Sequence, residues 1–262
     1  MGSEKDWVFV SDAHFTGQES EGIASFVRFL DSQKEGLGDL VILGDLFEFL
    51  FGFKDAHYQK DFPSTPKSFP FPEYLPIFEG LKRLFQQGIR IKYFEGNHDF
   101  FLHSFFQDWF KMEVEVHPNG CEERLGGRRC FIAHGDLSNP TQWKYRCFRR
   151  IVKNRWMFRL IDFAGPYWSR RVALKMSSKS HQRYHATDPP GMAAAFQSFA
   201  HQKFEEGFEV VILAHSHFPE KVEEWIKGRR CLYFNVGDWM THRSYLTFTP
   251  PDHFELNQFN ER

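Results

Sequence analysis

Five short clusters carry the residue types that hold divalent metal ions: Asp12-Ala13-His14, Gly44-Asp45, Gly96-Asn97-His98-Asp99, His134-Gly135-Asp136 and His215-Ser216-His217. Each alone has a plainer explanation, since a lone histidine beside a strand is more often structural and a lone Gly-Asp is more often a turn. Five in succession, all with oxygen or imidazole donors, ask for a common cause. The donor set is nitrogen and oxygen without thiolate, which suits Mn²⁺, Fe²⁺ or Zn²⁺ and argues against an iron–sulfur cluster or a cysteine-type zinc site. Asp12, His14, Asp45, Asn97, His134, His215 and His217 are the candidate ligands. They are too many for one tetrahedral ion and enough for two ions that share a carboxylate. Asp45 is the expected bridge, because ions about 3.5–4 Å apart need a common anion. Such a pair activates water and clamps both oxygens of a displacement at phosphorus.

Something must bring these clusters together, and each one ends a short apolar run, at residues 7–10, 40–43, 91–94, 130–133 and 210–213. A sixth run, 231–234, leads into Asn235-Val236-Gly237-Asp238. Near-continuous apolar runs of this length predict strands buried on both faces. If the strand ends stay extended, residues i and i+2 point the same way, so Asp12 converges with His14 and His215 with His217. Helical periodicity separates the runs: Ile23, Phe26, Val27 and Leu30 in 21–33, Leu75, Phe78, Leu81 and Phe85 in 73–86, and Ala195, Phe199 and Phe204 in 192–206. The alternation predicts an α/β fold whose ligands bind beyond the carboxyl ends of the strands. Two stretches depart from it. Residues 51–72, rich in Phe and Pro, predict a long loop. Residues 141–183 predict an inserted helical pair, one helix running through Tyr145 to Ile161 and the second starting at Pro166 after a break at Gly165. The chain, 1–262, reads as a single domain with this cap.

With 42% hydrophobic and 26% charged residues, the composition is that of a globular protein. A net charge of −1 disfavours nonspecific attraction to nucleic acid. The four cysteines show no CxxC spacing and read as reduced thiols. The polar start lacks a signal-peptide profile, and no apolar run reaches the roughly 18–20 residues of a spanning helix. A cytoplasmic protein is expected, soluble or peripheral on the cytoplasmic face of the inner membrane. The 32 Phe and 7 Trp exceed what a minimal core needs. Most are expected in an aromatic-rich core, and some on an apolar ligand or a membrane surface.

The ordered set Asp12-x-His14, Gly44-Asp45-x-x-Glu48, Gly96-Asn97-His98-Asp99, His134-Gly135-Asp136 and His215-x-His217 resembles the calcineurin-like metallophosphoesterase signature. Ala214 stands where that family usually has Gly. The resemblance implies a four-layer αββα sandwich of two mixed sheets. It also implies Asp12, His14, Asp45 and His217 on one metal, and Asp45, Asn97, His134 and His215 on the other. His98 is similar to the family's non-ligand histidine, which contacts phosphate and protonates the leaving group, and Asp99 is expected either to orient it by a hydrogen bond or to cap the following helix. Glu48 and Asp136 are expected to support ligands rather than to be ligands.

The insertion bears on the substrate. Between 144 and 183 there are twelve Lys and Arg against one acid, Asp162, interleaved with aromatics. A basic amphipathic pair suits an anionic membrane surface and an amphiphilic ligand. Basic residues among aromatics would also suit nucleic acid. The position of the insertion, with Gly-Asp-Leu-Phe-Glu at 44–48, resembles the UDP-2,3-diacylglucosamine pyrophosphatases of lipid A synthesis. That resemblance implies an amphiphilic UDP-linked lipid, cleaved at the α-phosphorus into UMP and 2,3-diacylglucosamine 1-phosphate. It places Arg149, Arg150, Lys153, Trp156, Arg170, Arg171, Lys175 and Lys179 as substrate contacts. His98 stands where that group typically has Arg, and Phe218 where it has Arg in His-Arg-Pro. The alternatives are a nuclease or phosphodiesterase on the same scaffold, and a metal-bound scaffold that docks a protein. No obligate protein partner is inferred.

Overall fold

The computed structural model describes residues 5–33, 36–53, 69–184 and 189–260, and of the side chains all but 174, 176–184, 189 and 190 within these. Six strands form the first sheet, in the order β13 (His253–Gln258), β12 (Ser244–Thr249), β1 (Asp6–Val10), β2 (Leu37–Ile42), β4 (Arg90–Phe94) and β6 (Val114–His117). The second sheet runs β10 (Glu220–Ile226), β11 (Arg229–Asn235), β9 (Val210–Leu213), β8 (Arg128–Ile132) and β7 (Cys121–Leu125). Both are mixed: β1, β2, β4 and β6 are parallel in one and β8, β9 and β11 in the other, with antiparallel strands at one edge of the first and at both edges of the second. A short parallel pair, β3 (Leu50–Phe51) with β5 (Asp99–Phe100), stands apart.

Strand alternation divides the side chains of β1 between two cores. Trp7 and Phe9 join Val41, Phe94, Ile132, Ile212 and Phe234 between the sheets. Val8 and Val10 face the other way, onto α1 (Ser20–Ser32), α2 (Leu75–Gln86) and α3 (Phe105–Phe110). On the far side of the second sheet, Val211, Leu213 and Tyr233 pack against α6 (Pro189–Glu205). The layers are therefore helix, sheet, sheet, helix, as expected. The buried faces of α1 and α6 are turned slightly from expectation: Phe29 joins Ile23, Phe26 and Leu30, and Phe196, Ala200 and Phe204 form the α6 face.

The Phe/Pro stretch is partly core. Phe51, Phe53, Phe69 and Phe71 are buried against one another and against Phe78, Phe105 and Trp109. The rest of the expected loop, 54–68, lies outside the described residues.

The insertion is helical, but its first helix is broken earlier than the periodicity suggests. α4 (Trp143–Val152) stops at Lys153, and α5 (Arg155–Tyr184) starts afresh. The cause is Asn154, whose Oδ1 accepts from Trp156 N at 2.9 Å, a helix-starting cap that outcompetes continuation. Within α5 the chain kinks at Gly165, with φ 77° and ψ 169°, a conformation open only to glycine. Pro166 follows directly and restarts the helix.

Candidate metal centre

The ligand-bearing segments follow β1, β2, β4, β8 and β9, and they do not stay extended. Asp12, His14, Asp45, His215 and His217 all adopt positive φ, between 46° and 68°. The assumption of extended strand ends therefore fails. The pairs converge because both members turn through the left-handed region, which non-glycine residues occupy at a cost of order 1–3 kcal/mol each. Cross-loop hydrogen bonds hold them there: Asp12 N to Gly44 O (3.2 Å), His14 N to Asp45 O (3.0 Å) and Trp239 N to Asp12 O (3.2 Å). Glycine is required where these loops touch. A Cβ on Gly96 would lie 2.0 Å from Asp45 Oδ1, and one on Gly44 would lie 2.8 Å from His134 Nδ1.

Each carboxylate is split between two tasks. Asp12 Oδ2 accepts His215 N at 3.0 Å, and Asp45 Oδ1 accepts His98 N at 2.9 Å. Their other oxygens face imidazoles. Asp12 Oδ1 lies 3.6 Å from His217 Nε2 and 3.8 Å from His14 Nε2. Asp45 Oδ2 lies 3.3 Å from His134 Nε2 and 3.9 Å from His14 Nε2. His134 Nε2 is 3.1 Å from His215 Nδ1 and 3.4 Å from Asn97 Oδ1. Two ion-sized groupings result, Asp12 with His14 and His217, and Asp45 with His134 and His215, the candidate ligand atoms within each lying within 4.8 Å of one another. Asp45 also groups with His14 and His98, which places it between the two.

Which nitrogen faces the site is fixed from behind. His14 Nδ1 bonds to Glu48 Oε2 at 3.0 Å and His134 Nδ1 to Leu43 O at 2.6 Å, so both turn Nε2 toward the site, where the neutral ring offers a metal its lone pair. Although burial pushes Asp45 upward, the charges of His134 and His98 hold it well below the ordinary carboxylate range. Burial works against protonating His134 too, yet Asp45 raises it to about 10. Its neighbour His215 is pushed down to about 4, by burial and then by His134. A field that keeps a buried carboxylate ionised and a positive charge on an imidazole is one that a divalent cation would meet favourably. Asp12 Oδ1, buried without a hydrogen-bond partner, fits the same reading. The residues present fit a pair of divalent ions.

Asp99 does not orient His98. Sitting in β5, it points away from its neighbour into the protein, where Oδ2 accepts Tyr93 Oη (2.5 Å) and Leu46 N (3.0 Å) and Oδ1 accepts Gly96 N (2.8 Å). The carbonyl of Glu48 takes His98 Nδ1 instead, at 3.0 Å. Asp136 turns to the cap rather than to a ligand, accepting from Tyr145 Oη at 2.6 Å and forming an ion pair with the Arg149 guanidinium, whose Nε lies 2.5 Å from Oδ2.

The cap residues expected to meet substrate divide into two groups. Arg149, the one buried side chain of α4, also donates to Asn119 Oδ1 (3.0 Å) and Pro118 O (2.9 Å). Lys153 Nζ pairs with Glu95 Oε2 at 3.2 Å, and Arg170 bonds Thr16 O at 2.7 Å and pairs with Glu73. These three cations fasten the cap to loops within two residues of His134, Asn97 and His14, and Arg149 and Lys153 also line the cleft under the cap. Arg150 and Trp156 are exposed, as is Arg171, which bonds Tyr167 Oη at 2.8 Å, and Lys175. Lys179 lies outside the described side chains. A cleft of about 1140 Å³ under α4 and α5 is lined by Arg146, Arg150, Arg155 and Arg159 besides Lys153 and Glu95. Sequence counts Arg146, Arg155 and Arg159 among the twelve cap cations but does not mark them as substrate contacts, because helical spacing does not tell a cleft wall from a solvated face. Asp238, at the end of the sixth apolar run, also faces the site, and its position in a Gly-Asp turn gives no sign of it.

A family model described as calcineurin-like phosphoesterase matches residues 7–219. The UDP-2,3-diacylglucosamine hydrolase of Aeromonas salmonicida (strain A449) is 29% identical over 247 residues, covering 93% of this chain and 89% of that protein. The protein of the same name from Serratia proteamaculans (strain 568) is 27% identical, over 96% of this chain and 98% of its own. That of Salmonella arizonae is 26% identical at the same coverages.

Proposed function

This chain belongs to the calcineurin-like phosphoesterase family, and from that premise we propose that it is a metal-dependent pyrophosphohydrolase that cleaves UDP-2,3-diacylglucosamine to UMP and 2,3-diacylglucosamine 1-phosphate. The observation that carries the reading is the pair of ligand groupings joined at Asp45, beneath a basic, aromatic cap, in a chain whose relatives of that name match almost end to end. Asp12, His14, Asp45 and His217 would hold one divalent ion, and Asp45, Asn97, His134 and His215 the other. Mn²⁺ is the proposed metal, with Fe²⁺ and Zn²⁺ suited by the same donors. When bound, the ions supply Lewis acidity at the phosphoryl oxygens and a lowered pKa for water.

The chain's own residues do the rest. Glu48 and Leu43 O fix the ring orientations of His14 and His134. His98, with Nδ1 engaged by Glu48 O, keeps Nε2 for the phosphate or the leaving oxygen. The arginines of the cleft would meet the anionic part of the ligand. Trp156, 75% exposed, and Phe163, 92% exposed, stand among bases on the cap and would meet acyl chains and an anionic membrane surface, on the cytoplasmic face of the inner membrane. Among the described residues no helix is long and apolar enough to cross a membrane. One domain, 1–262, would carry both cap and metal centre.

The test compares Mn²⁺-loaded protein on UDP-2,3-diacylglucosamine, on deacylated UDP-glucosamine and on an oligonucleotide. The proposal predicts UMP from the first far ahead of the other two. Preferred cleavage of the oligonucleotide would move the assignment to a nuclease.

A further inference from the structure

The segment from Asn235 to Ser244 lies beyond the stretch matched by the family, yet it braces two ligand-bearing loops. Asn235 Nδ2 donates to Ala214 O, next to His215, at 2.9 Å. Ser11 Oγ, next to Asp12, donates to Gly237 O at 3.0 Å. Trp239 N donates to Asp12 O at 3.2 Å. Gly237 sits at φ 80°, where a Cβ would lie 2.4 Å from Ser244 Oγ and 2.9 Å from Pro219 N, so the brace is tightly drawn.

Within it lies Asp238, 3% exposed. Its two oxygens differ. Oδ1 closes the local turn, accepting Thr241 N (2.9 Å), His242 N (2.8 Å) and His242 Nδ1 (3.1 Å). Oδ2 faces His217 Nδ1 at 3.6 Å, within ion-pair range. The opposite nitrogen, His217 Nε2, looks at Asp12 Oδ1. Glu48 stands in the same relation to His14, which fills the same grouping.

We infer that Asp238 is the positioning residue for His217: its Oδ2 keeps the proton on Nδ1 and so leaves Nε2 a lone pair for the ion held with Asp12 and His14. The inference rests on the metal centre proposed above. A carboxylate that only closed a turn would need Oδ1 alone, and the two roles separate chemically. In Asp238→Asn the amide oxygen can still accept from Thr241 and His242. The amide nitrogen, placed where Oδ2 was, donates into His217 Nδ1 and drives the proton onto Nε2, which then cannot bind metal.

The experiment titrates the metal-free full chain with Mn²⁺, following free Mn²⁺ by electron paramagnetic resonance, for the wild type, D238N, H242A, H217A and D238N/H217A, with melting temperatures of the metal-free forms alongside. D238N is expected to weaken one site about 10–100-fold and to leave the other within about 3-fold. H242A should leave both affinities unchanged, and D238N should add nothing in the H217A background. Wild-type affinities in D238N overturn the role, as does an equal loss from D238N whether or not His217 is present. If D238N melts far below the wild type without metal and H242A weakens the same site, Asp238 closes a turn and the role is likewise overturned. A wild type that takes up no Mn²⁺ overturns the metal centre itself, a failure distinct from these.

Discussion

Replacing Arg149 by Met should cost stability rather than substrate affinity. Its side chain is 10% exposed and that of its partner Asp136 is 5% exposed, so the pair is buried. Removing one member of a buried pair costs about 3–5 kcal/mol, because the remaining charge is left without its counter-ion. Tyr145 still donates to Asp136, and the His134 charge still favours its ionised form, which points to the lower end, about 3 kcal/mol. For a domain somewhat under this size, each kcal/mol lowers the melting temperature by about 2–4 °C, giving a fall of about 6–12 °C. The assay is thermal and urea unfolding of wild type, R149M, D136N and R149M/D136N, with KM measured in parallel. The double variant should recover part of the loss, with a coupling energy above about 1.5 kcal/mol. A melting temperature within about 1 °C of wild type, additive effects and a raised KM would refute the anchor and return Arg149 to the substrate.

Other expectations follow from the same contacts. Gly96→Ala should lose metal and about 1–3 kcal/mol of stability, since its new methyl group would collide with Asp45 Oδ1, as metal analysis and unfolding would report. Exchanging both Trp156 and Phe163 for Ser should leave the melting temperature nearly unchanged while reducing binding to vesicles that contain anionic lipid. Burial pushes Glu115 up, but Lys92 at 3.1 Å, helped by His117, holds it below its ordinary 4.5. A depressed folded value means a contribution that is complete above about pH 4.5 and lost as pH falls from there through the lower folded value. The stability advantage of wild type over Glu115→Gln, read from urea melts, should therefore hold from about pH 7 down to about 4.5 and shrink below it.

Much of this arrangement is legible in the residues because metal chemistry restricts donor types and strand ends restrict where donors can gather. The seven candidate ligands, the α/β alternation and the kink at Gly165-Pro166 all announce themselves locally. What stays hidden depends on direction rather than type. Nothing in Gly96-Asn97-His98-Asp99 says that Asp99 turns inward to Tyr93, or that the carbonyl of Glu48 holds His98. The left-handed turns at Asp12, His14, His215 and His217 are imposed by neighbouring loops, against the preference of each residue. Arg149 and Arg150 are adjacent and alike and both line the cleft, yet one is buried in the anchor and the other exposed, because a step of one residue carries a side chain about 100° around a helix.

The most direct measurement is the fate of oxygen from solvent. Mn²⁺-loaded protein acting on UDP-2,3-diacylglucosamine in ¹⁸O-water should release UMP carrying the label, with none in the sugar 1-phosphate, and the Asp45→Ala variant should release neither. Label in the sugar phosphate would contradict attack at the α-phosphorus. No UMP at all, with turnover of a simple phosphodiester, would contradict the assignment of the substrate.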